Sequence, residues 1–519
     1  MKRLNDLDYL KLNKFQAFIY KFQLFIFAIP GWIKGGLLKL WSIILGFFVG
    51  VKDEVLDIVR TFVKGNWAVK ASFLIFGFGN IFYGQVLRGL LFLVFEVIFL
   101  VYMFLPNGGI YWMSKVQWFQ VGKTVGTVQG HNEYHPVLDV DVWVPGDDSV
   151  KVLLYGLLSV FFVIAFIVVW RMQVKQCRIN MDLRSNNKKI LKAKDDLKSL
   201  LDEQFHKTLL APSLIGILVF TVLPIIFMVL IAFTSYDASA DGYSNLFSWV
   251  GWKHFNELMN FGEGGLGLAF GEILSWTLMW SFFATFSNYF LGMFVAIMIN
   301  KKGIKFKKFW RTVLVMTIAI PQFVSLLYVS KLFSSSGVIG GLLLDWNLIP
   351  QSMLDAHNYS LWNDPVSAKI LLIVINIWIG IPYVMLMATG ILMNIPADLY
   401  ESSRVDGANT VQQFTKITLP YMLFVTGPYL LTSFVGNLNN FNVIYLLSGG
   451  NPIKGTAGGA SIGHTDLLVT WLYRMTVEST ESKYYYGSVI GILVFLVVAI
   501  LSLIVYNVIP STKSEEDFS

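Results

Sequence analysis

Apolar runs alternate with short polar blocks along most of the chain, and the runs have membrane-crossing length. Eight stand out, at roughly 86–105, 151–170, 209–233, 272–299, 310–331, 368–393, 421–447 and 485–508. A helix of about 20 residues crosses the ~30 Å hydrocarbon core. A segment in lipid must pair its own backbone groups, so each run reads as a helix. The pattern predicts an all-α, polytopic helical membrane protein with about eight transmembrane helices. Residues 73–84, FLIFGFGNIFYG, are too short and glycine-rich to span, and read as a re-entrant or interfacial piece. Residues 1–66 mix apolar positions with about ten Lys and Arg, which suits amphipathic helices lying on the inner leaflet. A ninth span near 24–49 is the alternative there, made costly by Lys34 and Lys39.

Charge then orients the helices. Loop 171–207 carries about ten Lys and Arg, including Arg171, Lys188 and Lys189, and loop 301–308 carries five. Loop 235–270 has only Lys253, and 332–366 has none. Both basic loops are expected in the cytoplasm, which places the N-terminus, residues 394–420 and the tail after Pro510 there too. The division that follows is 1–66 interfacial, 67–207 a hairpin with outer loop 106–150, 208–510 a core, and 511–519 a tail.

Composition excludes several classes. With 14% charged and 55% hydrophobic residues this is no ordinary soluble protein. The net charge of +7 does not imply nucleic acid, because the basic residues flank membrane segments. A single cysteine, Cys177, rules out an internal disulfide and a CxxC zinc pattern. Lys21, Lys34 and Lys39 interrupt the first apolar stretch, so no cleavable signal peptide is expected. Trp249, Trp252, Trp346 and Trp362 fit an interfacial aromatic belt.

Candidate chemistry lies in polar stripes. Asn376, Gly380 and Tyr383 fall at i, i+4 and i+7 on one spanning segment, and Ser433, Asn437 and Asn440 repeat that spacing on another. Ser325 and Tyr328 add a shorter stripe on 310–331. Buried amides and hydroxyls need partners, so the stripes face each other, other helices or a wet cavity. Interhelical bonding is the plain use of such residues. Neutral donors and acceptors beside an aromatic ring also suit a sugar. Glu96, inside an apolar run, reads as a paired or neutral carboxyl facing the bundle rather than a proton relay.

The segment 395–420, IPADLYESSRVDGANTVQQFTKITLP, is the longest patterned polar loop of the C-terminal half. Pro396 opens a helix, Asp398 suits its first turn, and Gly407 ends it in the left-handed conformation. A second short helix is expected from Thr410 to Ile417, before Pro420. Glu401-Ser402-Ser403, three residues, Gly407, nine residues, Ile417, one residue and Leu419-Pro420 resemble the EAA loop of ABC-importer permeases. Asp406-Gly407-Ala408 and Phe414 fit the sugar-importer version, with two serines where that family has alanines.

From about Ile231 to Val505 the chain resembles MalF-type permeases of maltose and maltodextrin importers. IAFTSYD (231–237), GWKHF (251–255), NIWIGIPY (376–383), SFVGNLNNF (433–441), LLSGGNP (446–452) and TDLLVTWLYR (465–474) carry the likeness. The resemblance implies a type I ABC importer permease fold in the cytoplasmic membrane. It implies sugar contacts at Asn376, Gly380, Tyr383, Ser433, Asn437 and Asn440, with Ser325 and Tyr328 less closely matched. Glu401, Ser402, Ser403, Asp406, Gly407 and Ala408 would couple to a separate MalK/MsmX-type ATPase dimer, which holds the ATP and Mg; this chain binds no cofactor. A MalG-type second permease, an extracellular solute-binding lipoprotein and an oligosaccharide are the other implied partners. The chain departs from the enterobacterial version, which has a large folded outer domain where only residues 234–271 stand here.

Other signals fail. Val121-Gly122-Lys123-Thr124 ends like a P-loop, but Gln117 replaces the required glycine. His131-Asn-Glu-Tyr-His135 is not HExxH, and the glycine-rich 449–463 fits a flexible outer loop. The alternatives are another oligosaccharide (galacto-oligosaccharide or cyclodextrin), a non-transporting sensor, or a membrane transferase. A transferase needs convergent acids, histidines or a metal site, and the sequence offers none.

Overall fold

The computed structural model describes residues 41–508, less positions scattered through 43–47, 136–138, 189–204, 241–245, 263–264, 302, 335–336 and 347–360. Residues 1–40 of the expected amphipathic region 1–66, most of segment 24–49, Lys189 and the tail 511–519 lie outside the described residues. Among those described, seven helices are long and apolar enough to cross a membrane, and a bent pair makes eight. In chain order, α1 covers 48–64 and α2 Val86–Phe104. Strands β1 (His131–His135) and β2 (Val140–Val144) form an antiparallel hairpin. Then come α3 (Ser149–Ser185), α4 (Thr208–Ile231), α5 (Leu266–Asn300), α6 (Lys307–Ala319) and α7 (Gln322–Leu332). Helices α8 (Pro365–Leu392), α9 (Ala397–Val405), α10 (Thr410–Leu438) and α11 (Phe441–Leu447) follow. A hairpin of β3 (Ile453–Ala457) and β4 (Ala460–Gly463) precedes α12 (Tyr484–Val508).

Two expected spans differ. The run 310–331 is not one helix: α6 and α7 meet at 95°. Pro321 disfavours helical backbone at the residue before it, and Ile320 is extended at φ −87°, ψ 129°. The run 421–447 starts earlier and stops sooner. The second short helix expected to end before Pro420 instead continues through it into α10. A π turn at Phe414–Thr418 makes this possible. The carbonyl of Lys416 would pair with residue 420, which has no N–H, and the wider turn relieves that mismatch. The same device recurs in α4, where a π turn at Leu218–Val222 precedes Pro224. At the far end α10 stops at Leu438, and the Asn440 side chain accepts the Val443 N–H to cap α11.

The chain divides into two compact units. One holds the described residues up to Trp118 with Thr124–Phe227; the other holds Phe119–Lys123 and the chain from Met228 onward. In the first, residues 67–84 form two short helices, Trp67–Ala71 and Phe78–Phe82, with open backbone between them. Buried side chains close that backbone. Glu96 Oε2 accepts the Phe76 N–H at 2.9 Å, and Gln173 accepts from Gly77 at 3.3 Å while donating to the Ser72 carbonyl at 2.5 Å. Trp170 donates to the Phe73 carbonyl at 3.2 Å. Glu96 is thus partnered, and its bond closes the turn at Phe76. Helix α1 is tied to α3 through Arg171 with Glu54 and Asp57, and Arg178 with Asp57.

In the second unit α5 is the central helix, packed on α8 and α10. Gly292 of α5 lies so close to α8 that an added Cβ would stand 2.6 Å from Val384 Cβ. One apolar cluster joins Trp276, Trp280 and Ala284 to Leu372, Ile375 and Ile444. A second joins Tyr289, Met293 and Ala296 to Val384, Met385 and Met422. The glycine-rich 449–463, expected as a flexible loop, contains an ordered hairpin. Arg474 pairs with buried Asp466 at 3.0 Å and donates to the Gly449 carbonyl, while Gly463 N–H donates to Asp466 at 2.6 Å.

Candidate functional site

Between the two apolar clusters lies a polar layer. On α8 the fully buried members of the first cluster end at Ile375, with half-buried Ile379 packed against them, and the second cluster begins at Val384; Asn376, Gly380 and Tyr383 fall in this interval. On α5 the clusters stop at Ala284 and resume at Tyr289, leaving Thr285 and Asn288. Ser433, Asn437 and Asn440 lie between Met422 of α10 and Val443 of α11. Three spanning segments thus place neutral polar groups in one interval. No Asp, Glu, Lys or Arg occurs at 273–300, 370–397 or 417–447.

Among the described residues the two stripes make their contacts to α5 rather than hydrogen bonds to each other. Asn437 Nδ2 donates to Thr285 Oγ1 at 3.0 Å, and Asn440 Nδ2 donates to Asn437 Oδ1 at 3.2 Å. Gly380 lies against Asn288, whose Nδ2 would be 2.2 Å from a Cβ at that position. Asn376 is buried, and its Nδ2 has no hydrogen-bond partner among the described residues; nor has Asn288 Oδ1. Ser433 bonds to Tyr429 within α10. Tyr383 is half exposed at 52%, and Tyr328 on α7 is open at 71% beside half-buried Ser325. Asn440 keeps its place in the layer but caps α11 instead of lying on the spanning helix.

Thr285 and Asn288 are missing from the sequence-derived set. Their signal is the same one: Ser281, Thr285 and Asn288 fall at i, i+4 and i+7. The aromatic density of 272–290 masks it, because rings at nearly every turn make the segment read as plain core.

The polar loop forms an elbow. Helix α9 has Asp398 in its first turn and ends at Asp406, and Gly407 takes φ +78°. A capping box between Asn409 and Gln412 starts α10. Ser403 turns inward, donating to the Tyr400 carbonyl at 2.9 Å and accepting from Gln413 Nε2 at 2.8 Å, and Tyr400 bonds to Thr418 at 2.8 Å. Ala408 is half buried, its N–H donating to the Ser403 carbonyl at 2.8 Å. Glu401, Ser402, Asp406 and Gly407 face outward with Leu399, Val405 and Val411. The outward face mixes apolar side chains with Glu401, Asp406 and the exposed Arg404.

Residues 288–514 match the family model for the binding-protein-dependent transport system inner membrane component. The galactooligosaccharides transport permease GanP of Bacillus subtilis is 32% identical over 72% of this chain and 86% of its own length. The chain belongs to this permease family. The maltodextrin transport permease MalC of Streptococcus pneumoniae is likewise 32% identical, over 72% of the permease and 85% of MalC. The maltose/maltodextrin transport permease MalF of Escherichia coli is 35% identical over 49% of the permease and 48% of its own length. The permease is thus of MalF type, a helical membrane subunit of a sugar ABC importer. The rejected P-loop look-alike is a surface turn: Gly122 N–H donates to the Trp249 carbonyl at 2.8 Å, and Trp249 N–H to that of Lys123 at 2.9 Å.

Proposed function

We propose that this permease moves maltodextrins across the cytoplasmic membrane by alternating access, driven by ATP hydrolysed on a separate ATPase dimer. The carrying observation is the neutral polar layer held between two apolar clusters in three spanning segments. An uncharged polyol needs donors and acceptors without fixed charge, and the layer offers amides, hydroxyls and the half-exposed Tyr383 ring. Asn376, Gly380, Tyr383, Ser433, Asn437 and Asn440 are its proposed sugar contacts, joined by Ser325 and Tyr328 from α7.

In this reading the basic loops 171–207 and 301–308 face the cytoplasm, with both termini and the α9 elbow. The elbow's Leu399, Val405 and Val411 would sit in a groove of a MalK/MsmX-type ATPase, with Glu401 and Asp406 beside basic groups there. Closure of the ATPase dimer would move α9, and α8 and α10, which flank the elbow, would carry that movement to the sugar layer. A MalG-type permease completes the path, and an extracellular solute-binding lipoprotein delivers the sugar.

The test is uptake of labelled maltodextrin in cells lacking the permease and in cells carrying Asn376→Ala. Both are expected to lose uptake, and retained uptake in the deletion removes this substrate. Galacto-oligosaccharide is the second reading, because the galactooligosaccharide relative matches this chain as closely as the maltodextrin one. Competition between the two sugars for uptake separates them.

A further inference from the structure

The first unit carries a hairpin arm that is exposed along nearly its whole length. Every residue of β1 is exposed, and β2 is exposed except for half-buried Val144. The register puts His131, Glu133 and His135 opposite Val144, Val142 and Val140 on one face, and Asn132 and Tyr134 opposite Trp143 and Asp141 on the other. Tyr134 is 57% exposed, Val140 52% and Trp143 48%. An isolated two-stranded hairpin is marginal in water, and exposed valines on one face with exposed Tyr134 and Trp143 on the other mark an interaction site.

Its base, in contrast, is rigid. Asp147 accepts the N–H groups of Thr127 at 2.8 Å and Val128 at 3.0 Å and pairs with Lys115 at 2.6 Å. Burial pushes the Asp147 carboxyl up, but Lys115 and these N–H groups outweigh it and hold it below the usual range. Asp148 caps α3 and pairs with Lys151. A Cβ on Gly146 would stand 2.4 Å from the Gly130 nitrogen, so the two chains leave the base side by side.

Charge selects the partner. No Lys or Arg occurs from His131 to Asp148, and with Asp147 and Asp148 paired, Glu133, Asp139 and Asp141 remain uncompensated by a cation in the arm. Anionic lipid would be repelled; a protein face bearing Lys or Arg around an apolar centre would be attracted. The arm joins α2 to α3 at the end of α3 opposite its arginine-rich segment 171–184. On the importer reading above, on which this inference rests, that is the extracellular side.

We propose that the β1–β2 hairpin is the docking arm for the solute-binding protein, engaging a basic surface on that partner. It supplies an outer contact in a chain whose 234–271 segment is too short for a separate outer domain.

The test uses the whole importer in nanodiscs, with ATP hydrolysis followed against the concentration of the maltodextrin-loaded binding protein that stimulates the wild type. Trp143→Ser and the double variant Glu133→Lys/Asp141→Lys are each expected to raise the half-saturating concentration about tenfold or more. The saturated and unstimulated rates stay unchanged. Added NaCl weakens stimulation of the wild type and spares the double-lysine variant. An unchanged half-saturating concentration in Trp143→Ser overturns the arm, as does loss of the second permease from the purified variant complex. A wild-type importer that no maltodextrin-loaded binding protein stimulates overturns the importer reading, and the arm with it.

Discussion

Glu96 is a buried carboxyl side chain, and its role follows from one bond. It accepts the Phe76 N–H where the backbone of 67–84 is neither helix nor strand. A buried N–H without an acceptor costs about 1–3 kcal/mol. Glu96→Ala is therefore expected to lower the melting temperature of the purified permease, while Glu96→Gln, which keeps an acceptor oxygen, stays near wild type. A proton-carrying role would reverse the emphasis, with Glu96→Gln stable but inactive in uptake. Gly380 poses the complementary case, because it leaves room for Asn288. Gly380→Ala drives the Asn288 amide off α8, so transport should fall. The pair Gly380→Ala/Asn288→Ala should recover part of the loss, and additive losses in a double-mutant cycle would show that the contact does not matter. Asn376 and Gly380 are legible in the sequence because their segment is aliphatic and the polar positions stand out. Asn288 is not, because the rings around it hide the same spacing.

At the level of elements, spans are legible from hydropathy, whereas their breaks depend on how the backbone handles proline. Pro224 and Pro420 follow π turns and lie inside continuous helices, Pro382 and Pro428 are carried by α8 and α10 without one, and the helix breaks at Pro321. A count of apolar residues cannot separate these outcomes. The elbow at Gly407 is legible, since ending α9 there with φ +78° is a glycine task. Nothing lies within 4 Å of a Cβ built on Gly407, so a side chain there meets no clash and only the backbone resists it. A left-handed L-residue costs about 1–2 kcal/mol, less for Asn. Gly407→Asn should keep coupling, whereas Gly407→Leu should shift the elbow and separate ATP hydrolysis from uptake. Normal uptake and normal stimulated hydrolysis in Gly407→Leu would refute the lever.

At the scale of the whole molecule, the spanning helices leave much surface uncovered. In α4 only 11% of the most apolar window is buried within the chain, and in α5, the best covered, 39%. Lipid can cover straight apolar helices at no cost, so this alone does not require a protein partner. On the importer reading, the α6–α7 bend does. At Ile320–Pro321 the helical ladder is interrupted, and irregular backbone at membrane depth persists only against protein or a water-filled path. No residue of α6 is buried, and Tyr328 on α7 is 71% exposed. On the proposed importer reading, the bend would lie at the contact with a second permease across the translocation path. Made without that partner, the permease should reach the membrane and then be lost several-fold faster in a chase experiment. A cysteine at Tyr328, in a background where Cys177 is replaced by serine, should cross-link to the second permease in the assembled importer. Equal lifetimes with and without the partner, together with no cross-link from position 328, would place the bend against lipid and remove this account of the interface.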